Sequence, residues 1–242
     1  MVTLSTLDFI TGLFSLLVIS VSTVIGLIIA SKYIEYKSKP YLYWGLAYTG
    51  FYCPWWSSGI SFLSVLITGQ PLSLFMYILI GNLFVPLFIL LWILGFTEMV
   101  YQDKRKILLI IYSTIATVAE IFLIYFLITG TYSVLATFTG IFDVTFNRLW
   151  LAWLLLVNFS VAIMGLLFAR DSLKSEDSEI RFKGKVLIIA FLTYPICAII
   201  DGGVELNALG VILIRSLLMF GAVMFYIGFF VPKFVKKIFK LE

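Results

Sequence analysis

The chain has 242 residues, of which 62% are hydrophobic and only 12% charged, with a formal net charge of +4. A soluble domain carries about 25% charged residues to cover its surface, so water is excluded as the main solvent. The basic residues lie in short stretches between apolar blocks, which excludes an open nucleic-acid-binding surface and points to membrane topology instead.

Those blocks have the length needed to cross a hydrocarbon core of ~30 Å. In chain order they predict helices near 9–30, 41–67, 72–100, 107–128, 148–169, 186–204 and 208–231, then an amphipathic tail over 232–241. The expected fold is a single all-α domain, an integral membrane bundle of seven helices. No basic region precedes the first block, so it is expected to stay as helix one instead of being removed as a signal peptide. Lys32, Lys37 and Lys39, then Lys104, Arg105 and Lys106, then Arg170, Lys174, Arg181, Lys183 and Lys185, and finally the tail lysines all follow odd-numbered helices. Of the 17 basic residues, only Arg148 and Arg215 lie elsewhere. Positive loops held in the cytoplasm then put the N-terminus outside and the C-terminus inside, in a multi-pass protein of the cell membrane whose first partner is the lipid bilayer.

Helix one carries Gly26, and Gly95 and Gly165 recur in the outgoing helices of two later hairpins. Positive-inside bias alone generates that much likeness, so no repeat is inferred. Helix two contains Tyr52-Cys53-Pro54-Trp55-Trp56 near its middle. Pro54 removes an N–H and clashes with the preceding turn, making it a candidate hinge, and the rings of Trp55 and Trp56 are placed to line a cavity or fill a core. In helix three, Asn82 lies one turn before Pro86, a second candidate hinge, and is placed to bond a carbonyl freed by the kink.

Helix four brings Glu120 to about 20 Å above its inner end, at ~1.5 Å per residue. By helical spacing, Glu120 shares a face with Ser113 and Thr117. The connection from Thr129 to Asn147 is rich in Phe, Thr and Gly and has no lysine. That composition suggests a lid or an interfacial hairpin. The 170–185 loop mixes basic and acidic residues and is the expected contact for a cytoplasmic signalling partner.

On helix six, Pro195 is a third candidate hinge, and Thr193, Cys197 and Asp201 share a face. Arg215 on helix seven reaches the same depth as Asp201 and Glu120, so the three ionisable groups are expected in one layer facing the bundle interior. Two readings follow. Either the layer is a structural bridge, or it floors an outward-open pocket for a small or lipidic ligand. In the tail, Lys233, Lys236, Lys237 and Lys240 alternate with Phe234, Val235, Ile238 and Phe239, a pattern suited to the membrane surface.

Several chemistries are excluded. Without histidine there is no His-based metal or haem site and no imidazole base. No lysine falls within a predicted helix, which excludes a buried Schiff base. There is no Gly-rich phosphate loop, and Cys53 and Cys197 sit apart in apolar blocks as small packing residues. Neither enzymatic activity nor a cofactor is expected.

Tyr43-Trp44-Gly45-Leu46 opens helix two, and Tyr226-Ile227-Gly228-Phe229 precedes Pro232. With the hairpin layout, these give a chain that resembles the seven-helix sensor or receptor-like membrane proteins of archaea and bacteria. The resemblance implies sensing through a separate cytoplasmic partner and carries over no binding residue. The alternative is a secondary transporter or ion-coupled carrier that uses Glu120, Asp201 and Arg215 as coupling groups.

Overall fold

The computed structural model describes residues 3–241, and it is helical throughout apart from short connections and one hairpin. The helices are α1 (Thr6–Tyr36), α2 (Lys39–Phe51), α3 (Cys53–Thr68), α4 (Leu74–Asn82), α5 (Val85–Met99), α6 (Arg105–Ile128), α7 (Arg148–Leu173), α8 (Ser178–Gly203), α9 (Ala208–Phe229) and α10 (Lys233–Phe239). Strands β1 (Ala136–Phe138) and β2 (Val144–Phe146) form an antiparallel pair between α6 and α7. Among the described residues, six helical stretches are long and apolar enough to cross a membrane: α1, α4 with α5, α6, α7, α8 and α9. The chain is therefore an all-α, multi-pass membrane protein.

Local chemistry sets the boundaries. Ser5 caps α1 in a reciprocal pair with Asp8, Ser73 caps α4, Asp177 caps α8 and Asn207 caps α9, each satisfying N–H groups that a helix start leaves open. The predicted helix 41–67 is two helices, of 13 and 16 residues, because Pro54 stands in the first turn of α3 and the break falls at Tyr52. The predicted helix 72–100 is likewise broken before Pro86, which lies in the first turn of α5. Pro195 differs: α8 runs through it unbroken.

The expected 170–185 loop is corrected. Only residues 174–177 connect α7 to α8, and Arg170, Arg181, Lys183 and Lys185 lie on the helices themselves. Charge marks where a helix leaves an apolar layer and does not end it, and the Asp177 cap starts α8 early.

In the bundle, α1 packs against α2, α3 and α9; α9 packs against α8, and α8 against α7. Helix α5 packs on α2, α6 and α7, and the contact of α9 with α1 closes a ring. Between apolar helices in lipid, association relies on close van der Waals fit and small residues. Gly26 and Gly45 meet this need where α1 crosses α2: a Cβ at Gly45 would strike the backbone of Ala30, and one at Gly26 the carbonyl of Gly45. A Cβ at Gly95 would overlap the indole of Trp44. That indole stacks on Trp92 at 4.9 Å, beside the Tyr48–Phe225 stack at 4.0 Å, forming an aromatic core toward the basic end of the bundle.

At that end, α10 docks against the start of α8. Lys236 pairs with Glu179 at 2.5 Å, and Phe182 packs on Phe239 at 4.7 Å. Lys236 is thus an intramolecular partner and not simply a membrane-surface lysine, whereas Lys233, Lys237 and Lys240 remain exposed.

Candidate functional site

Arg215 lies in the first half of α9 and is only 3% exposed. A guanidinium has five N–H donors, and each finds an acceptor. Nε donates to Asp201 Oδ1 at 3.2 Å, and one Nη to the Thr11 carbonyl and Ser15 Oγ at 2.6 Å each. The other Nη donates to Asp201 Oδ2 and Asp143 Oδ1 at 3.3 Å each. Asp201 also accepts from Trp55 Nε1 at 2.7 Å. One cation thus ties α1, α8, α9 and the hairpin together, with α3 joined through Trp55. Pairing and hydrogen bonding offset the roughly 2.5–3.5 kcal/mol that a lone charge costs at mid-membrane.

The β1–β2 hairpin delivers Asp143. Ala136 pairs with Phe146, Thr137 with Thr145 and Phe138 with Val144, leaving a tip in which the N–H groups of Thr139 and Gly140 bond the Asp143 carbonyl. The preceding residue, Phe142, is buried against Phe62 at 5.6 Å, and its carbonyl accepts from Ser58 Oγ at 2.6 Å and Tyr77 OH at 2.8 Å. Phe142 therefore anchors the hairpin into α3 and α4 while Asp143 reaches Arg215. Composition suggests a lid or an interfacial hairpin; the segment is a hairpin with Thr139 and Gly140 exposed at its tip and Phe142 buried beneath it.

Beside this network lies a cavity of about 210 Å³. Its apolar wall includes Phe51, Pro54, Trp55, Phe146, Leu154 and Tyr194, and Asp143, Asp201, Arg215, Ser58, Tyr77 and Asn158 supply its polar groups. Helix breakage shapes it. At Pro54 the Trp55 N–H turns to the Tyr52 carbonyl at 3.0 Å, leaving the Phe51 carbonyl free for Tyr194 OH at 2.9 Å. Wall rings are thereby fixed through their polar atoms. Asn158, also buried, has an Oδ1 with no hydrogen-bond partner among the described residues.

The expected layer of three charges is corrected. Asp201 and Arg215 meet, but Glu120 contributes to neither the network nor the cavity. Depth fixed its height and not its side of the bundle. Helix α6 buries Ala116, Ala119, Leu123 and Leu127; Thr117 is exposed, and Ser113 and Glu120 are half-buried at the edge of that buried face. The Oε2 of Glu120 is buried without a partner among the described residues. Trp55 joins the site, but Trp56 does not line the cavity, and its Nε1 lacks a partner among the described residues.

Asn82 donates to Ile78 O at 3.0 Å and accepts from Trp150 Nε1 at 2.8 Å, cross-linking α4 to α7. Pro86 would free the carbonyl of Asn82 itself, four residues back, so this bond is not the expected repair. The sequence alone does not single out Asp143, Ser58, Tyr77, Asn158 or Tyr194. A phenylalanine and an aspartate following Thr-Gly, flanked by two Thr-containing apolar runs, were the available signal for the hairpin tip.

Comparison of the chain with protein-family models, curated proteins and solved structures finds no match. Fold and site together define a multi-pass all-α membrane protein with a buried arginine network beside a small, mainly apolar cavity.

Proposed function

We propose that the chain is a non-enzymatic, seven-span sensor or receptor-like protein of the cell membrane, with its N-terminus outside and its C-terminus in the cytoplasm. In this reading α2 and α3 make one bent crossing, and the hairpin and cavity lie in the outer half. A small ligand entering the cavity alters the Arg215 network, and the helices repack toward a cytoplasmic partner near the α7–α8 connection. The observation that carries the reading is the single guanidinium joining α1, α8, α9 and the hairpin beside the cavity. A ligand that biases that junction acts on several helices at once.

The test needs no ligand. Spin labels at Asp103→Cys and Glu176→Cys report the basic ends of the bundle, and Asp143→Ala releases the hairpin from Arg215. The expected result is a change of at least about 2 Å in the inter-label distance, the scale of helix shifts in switching proteins. An unchanged distance distribution ends the sensor reading. The carrier reading rests on the unpartnered Glu120 carboxylate. Liposome uptake that disappears in Glu120→Gln would replace the sensor reading with it.

A further inference from the structure

We infer that the cavity takes a small cation with an apolar body, most simply a protonated primary amine on an aromatic or short aliphatic group; this deepens the receptor reading and rests on it. Arg215 is the first candidate for ligand recognition, because buried arginines bind carboxylates and phosphates in bidentate fashion. Here it is already occupied. All five donors are engaged by Asp201, Asp143, Thr11 and Ser15, so an anion would have to displace an existing acceptor and face two carboxylates. The two carboxylates against one guanidinium leave a formal charge of −1 at the cavity.

Asp143 places that excess where a ligand can reach it. Only its Oδ1 meets Arg215, and its side chain is 46% exposed while lining the cavity, whereas Asp201 is 8% exposed and bonded through both oxygens. Asn158 supplies an independent sign. The residue lines the cavity and its buried Oδ1 has no partner among the described residues; leaving such a group unpaired costs roughly 1–3 kcal/mol. A ligand that brings N–H donors can bond the open side of the Asp143 carboxylate, and Asn158 gives the wall a second polar side chain.

The wall completes the match. Trp55, Phe51, Tyr77 and Tyr194 offer aromatic surface, which attracts cations through its quadrupole. Hydrogen bonds to Asp201, Phe142 and Phe51 hold three of these rings before any ligand arrives. An apolar cavity of about 150 Å³ accommodates benzene, so about 210 Å³ admits one ring with a short chain.

Isothermal titration calorimetry in phosphatidylcholine nanodiscs, with empty nanodiscs subtracted, tests the inference using three probes of nearly one shape: 2-phenylethylammonium, 2-phenylethanol and 3-phenylpropanoate. The ammonium should bind at least about tenfold more tightly than the other two, a difference of roughly 1.4 kcal/mol. Asp143→Asn should remove that preference with little change in melting temperature, and Asn158→Leu should weaken ammonium binding. If the alcohol or the carboxylate binds as well as the ammonium, the cationic class is overturned while the pocket reading stands. If none of the three binds at millimolar concentration, both are overturned.

Discussion

The two ends of the bundle solve the same packing problem with different materials. Toward the basic end, rings meet rings: Trp44 on Trp92, Tyr48 on Phe225, and glycines that let α1 and α2 touch. At the hairpin end, α1, α8 and α9 meet through a charged network next to empty space. An apolar interface has one good arrangement and is costly to disturb. A buried ion network with a half-exposed member can exchange partners, so the contrast separates the part that holds the fold from the part suited to respond.

The largest expected effect comes from breaking the network asymmetrically. Asp201→Ala leaves Arg215 buried with Asp143 as its only carboxylate, and loss of one partner from a buried pair typically costs about 3–5 kcal/mol. Reversible unfolding in mixed micelles measures it. Replacing both partners, with Arg215→Met and Asp201→Leu, should restore most of that stability, because apolar groups of similar volume often match a buried ion pair. A double variant as unstable as Asp201→Ala would show that the network is structural glue and erase the distinction between the two ends.

Trp92→Ala tests the other end and should cost a comparable or slightly smaller amount, about 3–5 kcal/mol for a large buried ring, read from the same unfolding curves. What sharpens the comparison is its reach. Probe binding in the hairpin-end cavity should survive Trp92→Ala in the molecules that remain folded, whereas one cooperative core would lose both together.

The smaller Tyr194→Phe change addresses the break between α2 and α3. It removes the hydroxyl that satisfies the Phe51 carbonyl, and an unpaired buried acceptor costs about 1–3 kcal/mol. Thermal unfolding in detergent should show this loss. Stability equal to that of the wild type would mean that the carbonyl finds another donor and that the break needs no support from α8.

These residues also mark what the sequence made legible. Apolar blocks set the all-α membrane class, because hydropathy over a helix length is a local property. Asp201 and Arg215 stood out because a charge inside an apolar block is rare and demands a partner. Asp143 did not, since an aspartate in a connection between helices is ordinary until the hairpin carries it to Arg215. Asn158 and Tyr77 are similarly common residues made special by a cavity. Glu120 misled because rise per residue gives depth alone, and the side it faces depends on how α6 sits on the ring. Prolines foretold breaks at two of three places: Pro54 and Pro86 begin new helices, while α8 absorbs Pro195.

The smallest effect, and the one that joins stability to response, belongs to Asp143. Burial raises its carboxyl above the ordinary range near 3.8, with Asp201 and Asp8 adding to the rise and Arg215 opposing it; Tyr77 is the remaining titratable neighbour. A carboxyl raised in the folded state binds its proton more readily there than in the unfolded chain. Its contribution to stability is therefore fully present below the unfolded pKa and is lost as pH rises through the folded one. Because the side chain is half exposed, that contribution is small. Acidification should slightly stabilise the wild type relative to Asp143→Asn in paired melting curves, while 2-phenylethylammonium binding weakens as Asp143 loses its charge. Opposite movement of the two readouts over one pH window would assign both to this carboxyl. If binding is unchanged while stability rises, the cation's partner is not Asp143, and the hairpin serves only to close that end of the bundle.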